Sequence, residues 1–302
     1  MTLRIGVDLG GTKIEGIVMD PASEILVRER VATPAGDYEG TLQAVARLVR
    51  QLERSVDAPR LPVGLGTPGA VSRLSGRMKN CNSTCLNGRP FKADLEARLG
   101  RGVRIANDAD CLALSEARDG AAAGAGTVFG VILGTGVGGG IVVRGELLSG
   151  PNAIAGEWGH VPLPAPHDAE RPGPACYCGR HGCVEAWLSG PALAADHLRY
   201  AGTELTAAEI AQRAGAGDGS CLATMRRYEE RLGRALAQVI NILDPDVIVL
   251  GGGLSHIERL YGQVPLHWQP HVFSDRVDTI LVPARHGDSS GVRGAAWLWP
   301  PA

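Results

Sequence analysis

Apolar and polar positions divide this chain into two halves that open alike. Leu3–Leu9, Ile14–Asp20 and Ile25–Val31 are short apolar-rich runs separated by glycine and polar turns, the pattern of a three-strand meander. A strand–turn–strand–turn–strand series restarts at Thr127 and runs through Val131–Gly140 and Ile141–Val143. The spacing of Leu42, Val45, Leu48, Val49 and Leu52 predicts a helix over Thr41–Leu52 with one buried face. Pro62–Thr67 and Val103–Ala106 read as short buried strands, Leu95–Leu99 as a helix, and the alanine-rich Ala109–Ala125 as another. Pro151–Gly190 is a loop-rich insert in the second half. Helices follow at Pro191–Ala201, Thr206–Ala214 and Ser220–Leu243, then strands at Asp246–Leu250 and Ile280–Val282, with Gly291–Leu298 as a closing helix. Strands alternating with helices predict an α/β fold built by internal duplication. Gly124–Gly126 is the natural boundary between the halves, because no low-complexity linker separates them.

Composition narrows the class. The chain has 302 residues, 44% of them apolar and 21% charged, with a net charge of −2. A packed core is expected, and nucleic acid is not an obvious partner. No apolar run reaches about 18 residues, so neither a membrane span nor a leader is expected and a cytoplasmic protein is. Seven cysteines in such a chain argue against a disulfide framework, and Cys81, Cys85, Cys111 and Cys221 read as core residues.

The candidate chemistry sits in the turns. Asp8-Leu-Gly10-Gly11-Thr12-Lys13 and Gly134-Thr135-Gly136 each join two apolar strands by a turn rich in backbone N–H and hydroxyl groups. Either alone could be a tight hairpin turn or a binding turn. Two of them can grip a polyphosphate from both sides, since glycine lets backbone amides approach an anion closely. Neither is a Walker A loop, and each leads into a strand, unlike a dinucleotide-binding fingerprint, which leads into a helix. Asn107-Asp108 ends a strand and opens a helix, where a carboxylate could take a proton from a hydroxyl. Asp108 or Asp110 could equally cap that helix, Asp110 being the better placed. Cys176, Cys178 and Cys183 form a glycine-punctuated loop, and His160 upstream completes a Cys3His set suited to structural Zn²⁺, with His181 as the rival fourth ligand. Glu157, His160 and Glu185 bracket that loop and, with Asn107 and Asp108, make a set able to hold a polyhydroxyl ligand.

Together these stretches, with Gly66-Thr-Pro-Gly69, Gly156-Glu-Trp-Gly-His160 and Leu250-Gly-Gly-Gly253, resemble the bacterial ROK family of sugar kinases over essentially the whole chain. The resemblance implies two ribonuclease-H-like domains of the actin/hexokinase/Hsp70 superfamily around a cleft, with a zinc-binding loop. The smaller domain would hold residues 1–117 and regain the C-terminal segment 290–302, and the larger would hold residues 118–289. It implies ATP and Mg²⁺ in the cleft, held by Asp8, Gly10, Gly11, Thr12, Lys13, Gly134, Thr135 and Gly136, with Gly252 and Gly253 leaving room for adenosine. Asp108 would be the general base, and Asn82, Asn107, Glu157, His160 and Glu185 would bind the sugar. The substrate expected is a hexose, with no membrane or nucleic-acid partner, and a homodimer is compatible with the family. Lys79–Gly88 and His286–Pro300 are most similar to the fructokinase group, which implies fructose 6-phosphate as product, with mannose as a second acceptor. Cys85 departs from the tryptophan expected there. N-acetylglucosamine kinase is the alternative within the family, and a non-catalytic sugar-sensing regulator the alternative of another class. Family repressors carry an N-terminal DNA-binding domain that a first strand at residue 3 does not accommodate.

Overall fold

The computed structural model describes residues 3–299. Its first half runs β1 (Arg4–Leu9), β2 (Lys13–Met19), β3 (Ile25–Ala32), α1 (Tyr38–Ser55), β4 (Val63–Thr67), the hairpin β5 (Ala70–Val71) and β6 (Met78–Lys79), α2 (Phe91–Leu99), β7 (Val103–Asn107) and α3 (Asp108–Arg118). The second runs β8 (Thr127–Leu133), β9 (Val137–Val143), β10 (Glu146–Leu147), α4 (Val184–Leu188), α5 (Gly190–Ala201), α6 (Ala207–Gly215), α7 (Gly219–Leu243), β11 (Val247–Gly251), α8 (Arg259–Trp268), β12 (Ile280–Pro283) and α9 (Ser290–Trp297). Residues 300–302 of the expected C-terminal segment lie outside the described residues.

Each half forms one five-stranded sheet, in the orders β3-β2-β1-β4-β7 and β10-β9-β8-β11-β12. The first three strands of each are antiparallel, and the later strands add in parallel. The duplication read in the sequence is therefore a duplication of topology. One large core cluster gathers on β8 and α7, and a second gathers on β1, β4 and α1, where Leu42, Val45, Leu48, Val49 and Leu52 are all buried.

The two halves are bound by an exchange of helices. α3 comes after the last strand of the first sheet yet packs on β8 and β9 of the second, while α9 packs back on β1 and β4 of the first. The two helices also cross each other. The crossing needs Gly294, because a Cβ there would fall on the Cys111 carbonyl. Overpacking at such a contact costs about 1–3 kcal/mol or forces the helices apart.

Several expectations change. The helix from Ala109 ends at Arg118, and residues 119–126 form turns. Alanine propensity loses there to a side chain, since the Glu116 carboxylate, which also accepts from residues 285–290, takes the Ala121 N–H out of the helical ladder. The helix read at Leu95–Leu99 begins earlier, at Phe91. β9 starts at Val137, so Gly138–Gly140 are strand and the second glycine turn is only Gly134–Gly136. α8 has no counterpart in the sequence reading, because Pro265 interrupts it. The insert is not loose: buried Glu170 accepts hydrogen bonds from Arg231 and Arg234 of α7 at 2.7–2.9 Å. Among the described residues no helix is long and apolar enough to cross a membrane.

Candidate functional site

Asp8, Thr67, Asn107 and Gly251 all stand at the C-terminal ends of parallel strands, the edge where ligands bind in open α/β sheets. Two adjoining cavities lie there. The first, of about 420 Å³, is lined by Asp8, Gly10, Gly11, Ser83, Gly252, Asp288 and Gly291, among others. The second, of about 130 Å³, is lined by Asn80, Asn82, Asn107, Asp108, Gly136, Glu157, His160, Tyr177 and Glu185, among others. Asn82 and Asp108 line both. All six polar residues expected at a sugar therefore share one cavity that opens on the one holding Asp8.

Asp108 is the first residue of α3, and its Oδ1 accepts from the Ala109 N–H at 2.9 Å. Its side chain reaches the open cavity, yet protein encloses it closely. That enclosure raises its pKa above the usual carboxylate range, against the pull of backbone hydrogen bonds, and Glu157 adds to the rise. Neither Asp108 nor Asp110 caps the helix. The cap is Asn107, whose Oδ1 accepts from the Asp110 N–H at 2.6 Å, which leaves its Nδ2 free to donate into the cavity. Asp8 is pushed up to about 6, by burial first and then by Asp108 and Glu15.

Asp110 lines a different cavity, beside Arg73, Lys92 and Arg104. Its Oδ1 is buried without a hydrogen-bond partner, and burial pushes the group up to about 7, with Asp108 and Glu157 adding to the rise. A raised native pKa favours folding below the usual carboxylate range, near 3.8, and that contribution is lost as pH rises through about 7. Asp110→Asn stays neutral, so its melting temperature should overtake the wild type's as pH rises from 4 to 8. The gain should be on the order of 1–3 kcal/mol at pH 8, after allowance for screening by water in the cavity. A difference that does not vary with pH in melting scans would rule out this origin.

The glycine turns divide their donors. The Gly10 N–H closes its turn on the Lys13 carbonyl at 3.0 Å, and the Gly134 N–H closes its turn on the Gly136 carbonyl at 3.0 Å. The tip amides of Gly11–Thr12 and Thr135–Gly136 make no hydrogen bond among the described residues. Thr12, Lys13, Gly134, Thr135 and Gly253 line neither cavity, and Lys13 lies 3.9 Å from Glu15. Gly136 touches the second cavity: a Cβ there would lie 2.7 Å from Glu185 Oε2, whereas one on Gly134 meets nothing within 4 Å. Gly134→Val should therefore weaken nucleotide binding by about tenfold or more and leave sugar affinity within about twofold, because only an incoming ligand meets the added bulk. Gly136→Val should impair both. Calorimetry with each ligand separates the outcomes, and equal losses from Gly134→Val would remove that turn from the nucleotide site.

The zinc candidates come together. One ligand atom each from His160, Cys176, Cys178 and Cys183 lies within 4.8 Å of all the others. Cys178 Sγ and Cys183 Sγ are 3.7 Å apart, and Cys176 Sγ is 3.5 Å from His160 Nδ1. Tetrahedral Zn–S bonds of about 2.3 Å put sulfurs about 3.8 Å apart, so the set fits a closed site. His181 is exposed and lies outside the cluster. Arg180 donates to Cys178 Sγ and holds that thiol down at about 6. The other ring nitrogen of His160, Nε2, lies 2.9 Å from the Tyr177 hydroxyl at the cavity wall. The same loop leads into α4, where Glu185 accepts from the Val137 N–H at 2.8 Å.

Asn80, Tyr177, Asp288 and Gly291 also line the cavities, beyond the residues expected from the sequence. Tyr177 had a signal in its place between two cysteines, and Asp288 and Gly291 in a glycine-punctuated polar run. Asn80 lies in the Lys79–Gly88 stretch, two residues before Asn82.

Paired sheets of one topology, exchanging helices across a cleft lined by strand ends, define the actin/hexokinase-like class. The chain belongs to the ROK family, whose sequence model matches residues 4–302. It is 40% identical over 297 residues to an N-acetyl-D-glucosamine kinase of Vibrio cholerae serotype O1, covering 97% of this chain and 98% of that protein. Among solved structures it is similar to a ROK hexokinase from Thermus thermophilus, with a TM-score of 0.86 and 32% identity over 98% of this chain and 97% of that one. A ROK family glucokinase from Streptomyces griseus, solved with glucose and AMPPNP, gives a TM-score of 0.78 and 30% identity over 98% of both chains. The expectation of a fructokinase is overturned: the curated relatives at about 40% identity are N-acetyl-D-glucosamine kinases.

Proposed function

We propose that this chain is an ATP-dependent sugar kinase whose acceptor is N-acetylglucosamine. The observation that carries the reading is the junction of the two cavities at Asp108 and Asn82. A sugar held by Asn107, Glu157, His160 and Glu185 would present its primary hydroxyl to Asp108, beside phosphates held over Asp8 and the tips of the glycine turns. Asp108 takes the hydroxyl proton as the oxygen bonds to the γ-phosphorus and ADP leaves. Such a transfer needs alignment and charge neutralisation above all. Mg²⁺, bound with ATP near Asp8, would supply charge neutralisation at the phosphates. Zinc at the cysteine cluster would be structural, because three thiolates and an imidazole leave no open position. Residues 1–117 with the C-terminal segment, and residues 118–289, would close on the substrates and exclude water. The choice of N-acetylglucosamine rests on the relatives at about 40% identity.

A coupled assay of ADP formation over N-acetylglucosamine, N-acetylmannosamine, glucose, mannose and fructose tests both parts. N-acetylglucosamine should give the highest kcat/KM. A higher value for any other sugar would reassign the acceptor, and binding of sugar without ADP formation would favour a sugar-sensing regulator.

A further inference from the structure

Glu116 lies on α3, two turns beyond Asp108, and is fully buried with no cationic partner among the described residues. Its carboxylate is satisfied by four hydrogen bonds. Oε2 accepts from the Ala121 N–H at 2.8 Å and the Arg285 N–H at 3.0 Å. Oε1 accepts from the His286 N–H at 3.2 Å and the Ser290 hydroxyl at 2.8 Å. Gly120 makes room for it, because a Cβ there would fall on the carboxylate. Three of the four donors thus belong to a segment about 170 residues away that leads from β12 into α9. Gly287, Asp288 and Gly291 of that segment line the cavity assigned to the nucleotide. Gly291 also backs Asp8: a Cβ on it would lie 3.3 Å from Asp8 Oδ2. The same carboxylate therefore fixes the segment directly and Asp8 through Gly291, from the helix whose first residue is Asp108.

We propose that Glu116 is a positioning residue for the nucleotide: it holds Gly287–Gly291 in place against Asp8 and so sets the affinity for ATP and its Mg²⁺. This rests on the kinase reading above. Brace and ligand wall are on different elements, so a purely structural role and a positioning role give different results.

Glu116→Gln keeps the volume but turns one acceptor into a donor facing backbone N–H groups. It should raise the KM for ATP about tenfold and the half-saturating Mg²⁺ concentration several-fold, with kcat within about threefold and sugar affinity within about twofold. Ser290→Ala removes a single donor. It should shift the same constants in the same direction by about threefold, with a melting temperature near the wild type's. Should Glu116→Gln fail to fold, Ser290→Ala decides. Wild-type KM for ATP and wild-type Mg²⁺ dependence in the folded variants would overturn the proposal, whatever the melting temperatures, and so would equal losses for sugar and ATP. If wild type phosphorylates no sugar, the kinase reading fails on its own. Calorimetry with a non-hydrolysable ATP analogue then still decides the role of Glu116.

Discussion

Asp108→Asn should turn over about 10²–10⁴-fold more slowly than wild type while binding sugar with affinity within about threefold. The substitution keeps size, the hydrogen bond to the Ala109 N–H and the capacity to hydrogen-bond a sugar hydroxyl, so it removes only the proton acceptor. The wild type supplies a second readout. Enclosure raises the Asp108 pKa, and only the ionised form accepts a proton. Its kcat/KM should therefore fall as pH drops through a limb above the usual carboxylate range. Asp8, pushed up to about 6, contributes to the same limb until Mg²⁺ pairs with it. The limb should flatten in Asp108→Asn. Asp110→Asn is the control two residues away: its carboxylate lines another cavity, so turnover should stay near wild type. Near-normal turnover in Asp108→Asn, or equal losses in Asp110→Asn, would move the base elsewhere.

The parts of this protein that could be read from its sequence are those with local causes. Both meanders come from short apolar runs broken by glycine turns, and α1 from one five-residue apolar stripe. Asn107 and Asp108 could be found because strand ends are where α/β sheets bind ligands, and Asp8 because it flanks a glycine turn. The cysteine cluster could be found because its spacing is itself the geometry. What escaped depends on residues far apart in the chain. The stop of α3 at Arg118 depends on Glu116, whose other donors lie in residues 285–290. The cap of α3 went to Asn107 because β7 delivers its side chain over the helix start, whereas the sequence favoured Asp110 of the two aspartates. α8 carries a proline inside its span, and local rules discount such a helix although Leu260, Val264 and Trp268 are buried on one face. The acceptor sugar was the least legible feature. The stretches Lys79–Gly88 and His286–Pro300 pointed to fructose, whereas the relatives at about 40% identity are N-acetyl-D-glucosamine kinases.

Removing the metal ligands should cost sugar binding and leave nucleotide binding standing. Cys178→Ala takes one thiolate from a four-ligand set, so purified wild type should carry about one zinc per chain and the variant far less. The reason lies in the residues that the loop carries. His160 ends a turn, Trp158–His160, that begins directly after Glu157, and Cys183 immediately precedes α4, which carries Glu185 in its first turn. The Val184 N–H also bonds to the Val161 carbonyl at 2.9 Å, so the segments that carry His160 and Cys183 run together. A metal tying His160 to Cys183 would thus fix Glu157, His160 and Glu185 in one cavity, and it would set which ring nitrogen of His160 faces Tyr177. Without it the carboxylates lose their mutual geometry, and the KM for sugar should rise by about tenfold or more, since unpaired polar groups in a closed site discriminate strongly. Asp8, Gly11 and Gly252 lie on other elements, so affinity for an ATP analogue should change by less than about twofold. Chelation of wild type should reproduce the Cys178→Ala behaviour, and added Zn²⁺ should reverse it in wild type alone. Metal-free protein that phosphorylates sugar with ordinary KM would show that the cysteine cluster has no part in the site.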